Sequence, residues 1–171
     1  FVSHAWDSLF VDLVDSLAAY LEGAAQDETF PWLDIFAINQ DDSGGQFSAM
    51  DELDDGATLK QVIELSQATL VVLDKDRVAP LARLWCLYEI GSTPPSKAQL
   101  LTHGFSGKDI SRHIWTINAG DALCFSDEDR RMIQAKIIDQ FGTMEKFTIE
   151  LQLRLLLRPM SSAADLQALR D

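Results

Sequence analysis

The chain has 171 residues, 47% of them hydrophobic and 24% charged, which fits one globular domain with a sizeable core. Its net charge of −13 excludes a broad nucleic-acid or anionic-membrane surface, since both recruit Lys and Arg. Such a charge reads as a solvated acidic exterior, with room for one phosphate-bearing ligand beside a local cation.

Phe1 to Ala5 is short and starts apolar, which predicts a first buried strand. From Asp7 to Glu22 the period changes. Leu9, Leu13, Leu17 and Leu21 recur every four residues with Phe10 and Val14 beside them, predicting an amphipathic helix that stops at Gly23. Phe30 to Ile38 is an apolar run and predicts a second strand buried on both faces, as in a parallel sheet. Asn39 to Gly56 is polar, acidic and contains Gly44-Gly45, and so reads as a long loop with a functional role.

Thr58 is placed to cap a helix carrying Leu59, Val62, Ile63 and Ser66, which leads into the clearest strand, Ala68 to Asp74. A loop from Lys75 to Pro80 precedes a helix from Leu81 to Ile90, which Gly91 to Ser96 is expected to break. Gln99 to Thr102 and His113 to Ile117 are weaker strand candidates. Asp127 to Phe141 is helical, with an acidic start suited to the helix dipole, and a further helix from Met144 to Arg158 ends at Pro159. The expected units are one domain over 1–158 and a tail over 159–171, a short helix or poorly ordered.

Alternating strands and helices imply an open, mostly parallel sheet flanked by helices on both faces, with extra C-terminal helices. Ligands in such sheets sit outside the carboxyl ends of the strands. That rule gathers Ser3 to Trp6, Asp34 onward and Asp74 onward around one crevice, next to the helix bearing Trp85 and Glu89. Cys86 and Cys124 stand outside any CxxC pair, so no zinc or thioredoxin-like motif appears and free thiols in a reducing compartment are expected. No apolar stretch approaches the ~18 residues of a membrane span and no signal peptide is visible. The opening on Phe1-Val2, without Met, reads as a piece of a larger protein.

The strand ending Phe1-Val2-Ser3-His4-Ala5-Trp6, the segment Trp32-Leu33-Asp34-Ile35, the glycine-containing loop after it and Leu70-Val71-Val72-Leu73 resemble, in order and spacing, the first half of TIR domains. The run Leu84-Trp85-Cys86-Leu87-Tyr88-Glu89-Ile90 is similar to the Trp-Cys-Leu-x-Glu-Leu run of plant-type members. The resemblance covers roughly Phe1 to Gly91. Plant-type members usually continue their first strand with Phe-Arg-Gly, where this chain has His4-Ala5-Trp6, so the chain resembles a divergent branch. It implies a TIR/flavodoxin-like fold and a glutamate essential for cleaving NAD, which is the substrate rather than a resident cofactor. Other implied partners are further TIR-like domains, through self-association. A cytoplasmic location without nucleic-acid or membrane partners fits both the resemblance and the composition.

Cleavage between ribose and nicotinamide passes through an oxocarbenium-like cation and releases nicotinamide as a neutral base. A carboxylate beside the ribose stabilises that cation, as one carboxylate does in glycosidases. Glu89 is the candidate for this role. Trp85, four residues earlier, shares its helical face and is placed either to stack on a ring of the ligand or to pack the helix on the sheet. Ser3 is a candidate donor to a ribose hydroxyl or phosphate, and His4 a candidate for proton transfer. Trp6 ends the same strand at the crevice. Asp34, inside an apolar run, must find a partner or line the pocket. Arg83 and Arg77 are the nearest cations to offset phosphate, and Cys86 reads as a packed thiol.

Three functions compete: an NAD glycohydrolase making a linear, cyclic or variant ADP-ribose; a non-enzymatic TIR-type adaptor that self-associates through the loop after the second strand; and a nucleoside or nucleotide N-glycosidase. Glu89 favours the first and third, and the long acidic loop is compatible with the second.

Overall fold

The computed structural model describes residues 1–22, 29–37, 59–73, 78–102 and 105–157. Among them three strands, β1 (Val2–Ser3), β2 (Thr69–Val72) and β3 (Ala98–Leu101), run parallel in that order across one sheet. Val2 is in register with Leu70, Ser3 with Val71, and Val71 with Leu100. Parallel neighbours require crossovers, and helices supply them. Between β1 and β2 lie α1 (Phe10–Leu21), α2 (Asp34–Ala37) and α3 (Leu59–Leu65). Between β2 and β3 lie a 3-10 turn (Ala79–Ala82) and α4 (Leu84–Ser92). After β3 come α5 (Gly107–Trp115), α6 (Asp127–Phe141) and α7 (Met144–Leu156).

The pleat divides the core. Val2, Leu70 and Val72 point to one face, where Leu13 and Leu17 of α1 cover them. Val71, Leu73 and Leu100 point to the other, where they meet Leu84, Leu87 and Ile90 of α4 together with Ile110, Ile114, Ile133, Ile137, Phe147, Leu151 and Leu155 from α5, α6 and α7. Helices therefore flank both faces, and the C-terminal helices enlarge one of them. This is the α/β arrangement that the alternation implies. Among the described residues no helix is long and apolar enough to cross a membrane.

Caps fix the late helices. Ser106, Ser126 and Thr143 each accept a backbone N–H three residues on, ahead of α5, α6 and α7. Gly142, with φ of 90°, ends α6 in a conformation that other residues rarely adopt. α4 is different, because Leu84, Cys86, Leu87, Tyr88, Glu89, Ile90 and Gly91 are all buried. It runs between the sheet and α3, α6 and α7 rather than along the surface.

Two expectations are corrected. Over its described residues, 30–37, the run Phe30 to Ile38 does not form a strand: one backbone bond, Val2 N–H to the Trp32 carbonyl at 3.0 Å, holds this segment beside β1, and Asp34–Ala37 is a helical turn. Pro31 removes a ladder donor, and Phe30 is 85% exposed, so the run is not buried on two faces. His113 to Ile117 is not a strand either. Ser106 starts a helix there that buries Ile110 and Ile114 at i, i+4 spacing, and α5 runs through His113 to Trp115. The break expected over Gly91 to Ser96 is found there: α4 ends at Ser92, and the missing side chain of Gly91 admits Phe147. The loop Asn39–Gly56, the Thr58 cap, Asp74, Arg77 and the tail 159–171 lie outside the described residues.

Candidate functional site

Register decides where Ser3 points. It pairs with Val71, so its side chain projects to the α4 face, at the carboxyl end of β1. There the Ser3 hydroxyl donates to Glu89 Oε2 at 2.5 Å. Ser3 is 1% exposed and Glu89 7%. Glu89 is therefore not a surface glutamate on an amphipathic helix. Burial pushes its carboxyl pKa up to about 8; the Ser3 hydrogen bond opposes the rise, the charge of Asp34 adds to it and Arg83 opposes it.

Just past the strand, the Trp6 indole donates to Asp34 Oδ2 at 2.7 Å, and Asp34 Oδ1 accepts the Ile35 amide at 2.8 Å. Both carboxylate oxygens thus face donors, which explains how Asp34 tolerates an apolar neighbourhood. His4 Nδ1 stands 3.7 Å from Asp34 Oδ1. Burial lowers the His4 pKa, Asp34 resists that fall and Arg83 deepens it.

Arg83 sits at the N-terminal boundary of α4 and contacts Asp7 Oδ1 at 3.3 Å. The Trp85 ring, partly buried, packs between the large core and a smaller cluster of Phe1, Leu59 and Ile63. Its contacts are those of a wedge joining α4 to α3 and the strand. Cys86 donates its thiol to the His4 carbonyl at 3.3 Å. Burial, reinforced by Glu89, raises that thiol's pKa well above its usual value, so it is not a nucleophile at neutral pH.

The structure thus gathers Ser3, His4, Trp6, Asp34, Arg83 and Glu89 at the carboxyl end of β1. Sequence reasoning missed Asp7 as the partner of Arg83 and Cys86 as the tie to His4. No spacing signal announces either, since 76 and 82 residues separate the partners.

A separate concavity of about 210 Å³, lined by Val78, Leu81, His113, Asn118, Asp121 and Leu123 among others, lies between the 3-10 turn and the end of α5. It contains none of the residues above. Buried titratable groups with shifted pKa values mark a functional site more directly than a shallow hollow does, and these gather at Glu89. Among the described residues no cluster of His, Cys, Asp or Glu is arranged to hold a metal ion. Compared with models of protein families, with characterised proteins and with solved structures, the chain matches none.

Proposed function

We propose that this chain is a TIR-like domain that cleaves NAD, releasing nicotinamide and leaving a linear or cyclic ADP-ribose product, in a cytoplasmic signalling or immune response. One observation carries the reading. Glu89, in the run Leu84–Ile90 that resembles plant-type TIR domains, is buried against Ser3 at the carboxyl end of a parallel strand.

The chemistry follows from that placement. With a pKa near 8, Glu89 is mostly protonated in the free protein at neutral pH. A nicotinamide ring carrying positive charge, or the ribosyl cation that follows its departure, favours the ionised form by direct attraction. The carboxylate then stabilises charge that develops in the transition state, within a buried setting where such an interaction is strong. Ser3 holds the carboxyl in orientation. Arg83, at the N-terminal boundary of α4, is the candidate cation to offset a diphosphate.

The test is nicotinamide release from NAD by the wild-type chain and by Glu89→Ala, both at high concentration to allow assembly. The expected loss is at least ~100-fold in kcat, the scale on which electrostatic groups act. Wild-type protein that releases no nicotinamide refutes the enzyme reading. Release of bases from nucleosides in preference to NAD supports the N-glycosidase alternative.

A second reading has its own support. Trp6, Leu9, Phe10, Val14 and Phe36 are exposed around the start of α1, and the Phe10 and Phe36 rings meet edge to face at 6.1 Å. Apolar surface of this kind suits self-association, as in an adaptor. The two readings coexist in an enzyme that requires assembly.

A further inference from the structure

We propose that His4, oriented by Asp34, accepts the proton of the oxygen nucleophile that attacks the ribosyl carbon. The inference rests on the NAD-cleaving reading above. It starts from an anomaly: His4 Nδ1 is sealed from solvent and has no hydrogen-bond partner among the described residues. Buried imidazole nitrogens are normally satisfied. The side chain is 8% exposed and faces Asp34 Oδ1 across 3.7 Å.

Everything around this gap is fixed. The Trp6 indole and the Ile35 amide hold the two oxygens of Asp34. The Cys86 thiol ties the His4 carbonyl to the helix that carries Glu89. A closure of less than ~1 Å brings Nδ1–H within hydrogen-bond range of Oδ1. Catalytic hydrogen bonds are often long before ligand arrives and tighten in the complex. Once Nδ1 carries the proton facing Asp34, the lone pair lies on Nε2, which becomes the acceptor. Burial keeps the imidazole neutral at physiological pH, the state a base requires.

The step balances as follows. The bond between ribosyl C1′ and nicotinamide breaks, and its electron pair leaves with the ring, which becomes neutral. A water oxygen bonds to C1′ and its proton passes to His4 Nε2. The imidazolium then returns that proton to solvent. The net reaction is NAD plus water to nicotinamide, ADP-ribose and one proton. His4 is the catalytic base here, while Asp34 and Trp6 are positioning residues.

The charged groups acting on His4 are Asp34 from α2 and Arg83 from the boundary of α4, while the Cys86 thiol meets only its backbone carbonyl. Two of the site's groups must lose protons, Glu89 and His4. The plot of log kcat/KM against pH for the 171-residue chain should therefore approach a slope of about 2 on its acid side. In His4→Gln the slope should fall to about 1 and kcat by ~100-fold, with KM nearly unchanged. In Asp34→Asn the His4 break should move to lower pH, because the charge that raises its pKa is gone. Proton NMR titration reads the same shift without activity, and three histidines make assignment direct.

A His4→Gln variant that keeps the steeper slope, or an Asp34→Asn variant that leaves the His4 titration unmoved, overturns the assignment. Cleavage lost in Glu89→Ala but intact in His4→Gln overturns this inference alone. Wild type that releases no nicotinamide overturns the NAD reading and this inference with it.

Discussion

At the scale of single residues, Glu89 couples the candidate site to stability. Its folded pKa of about 8 exceeds the ordinary 4.5, so between those values the folded chain holds a proton that the unfolded chain has released. Stability from the protonated group is fully present below pH 4.5 and is lost as pH rises through 8. The linkage is on the order of 5 kcal/mol. Glu89→Gln keeps a neutral, similarly shaped side chain and removes the titration. Urea melts of this variant should therefore lack the decline with rising pH that Glu89 imposes between about 4.5 and 8, so that the variant gains on wild type across that range and is the more stable protein at pH 9. A stability difference between the two proteins that does not change with pH contradicts the buried acid. The sequence run marked Glu89 as the residue of interest. It did not show the burial, because a charged residue on a helix is by default a surface residue, and only the packing of α3, α6 and α7 around α4 excludes water. His4 was legible as a candidate from its place at the end of the first strand, and Asp34 as a carboxylate inside an apolar run, but their mutual geometry depends on a helical turn that local periodicity did not reveal.

At the scale of elements, α4 depends on a glycine. A Cβ built on Gly91 lies 2.3 Å from Phe147 Cε2, a contact that forces α4 and α7 apart. Gly91→Ala should cost ~1–3 kcal/mol, the range for overpacking, despite the better helix propensity of alanine. Combining it with Phe147→Leu should recover part of the loss, and a double-mutant cycle from denaturant melts measures that coupling. Additive losses contradict close packing of the two helices here. Long periodic elements such as α1, α6 and α7 were readable because apolar spacing and caps are local. The segments Phe30–Ile38 and His113–Ile117 were misread as strands for a shared reason: short apolar runs look alike in a strand and in a helix, and a proline or a capping serine decides between them.

At the scale of the whole molecule, two features oppose each other. The exposed apolar residues near the start of α1 favour contact with another copy, while a net charge of −13 pushes copies apart. Association should therefore strengthen with salt, as screening shortens the reach of the repulsion. Sedimentation velocity should show the average mass rising with protein concentration and with NaCl between 0.05 and 0.5 M (roughly a threefold shorter Debye length). Phe10→Asp should hold the protein monomeric under the same conditions. A wild-type chain that stays monomeric throughout removes the self-association reading.

Arg154 of α7 donates to the carbonyls of Gly91 and Thr93, at 2.9 and 3.3 Å, and Phe147 fills the space that Gly91 leaves open. The helix bearing Glu89 is thus completed by chain made 63 residues later. At ~5–20 residues per second, a ribosome takes roughly 3–13 s to supply it. Throughout that interval the apolar sides of α4 have no cover from α7. A nascent chain therefore exposes those sides to chaperones, and the setting that buries Glu89 is complete only after the last described helix has docked.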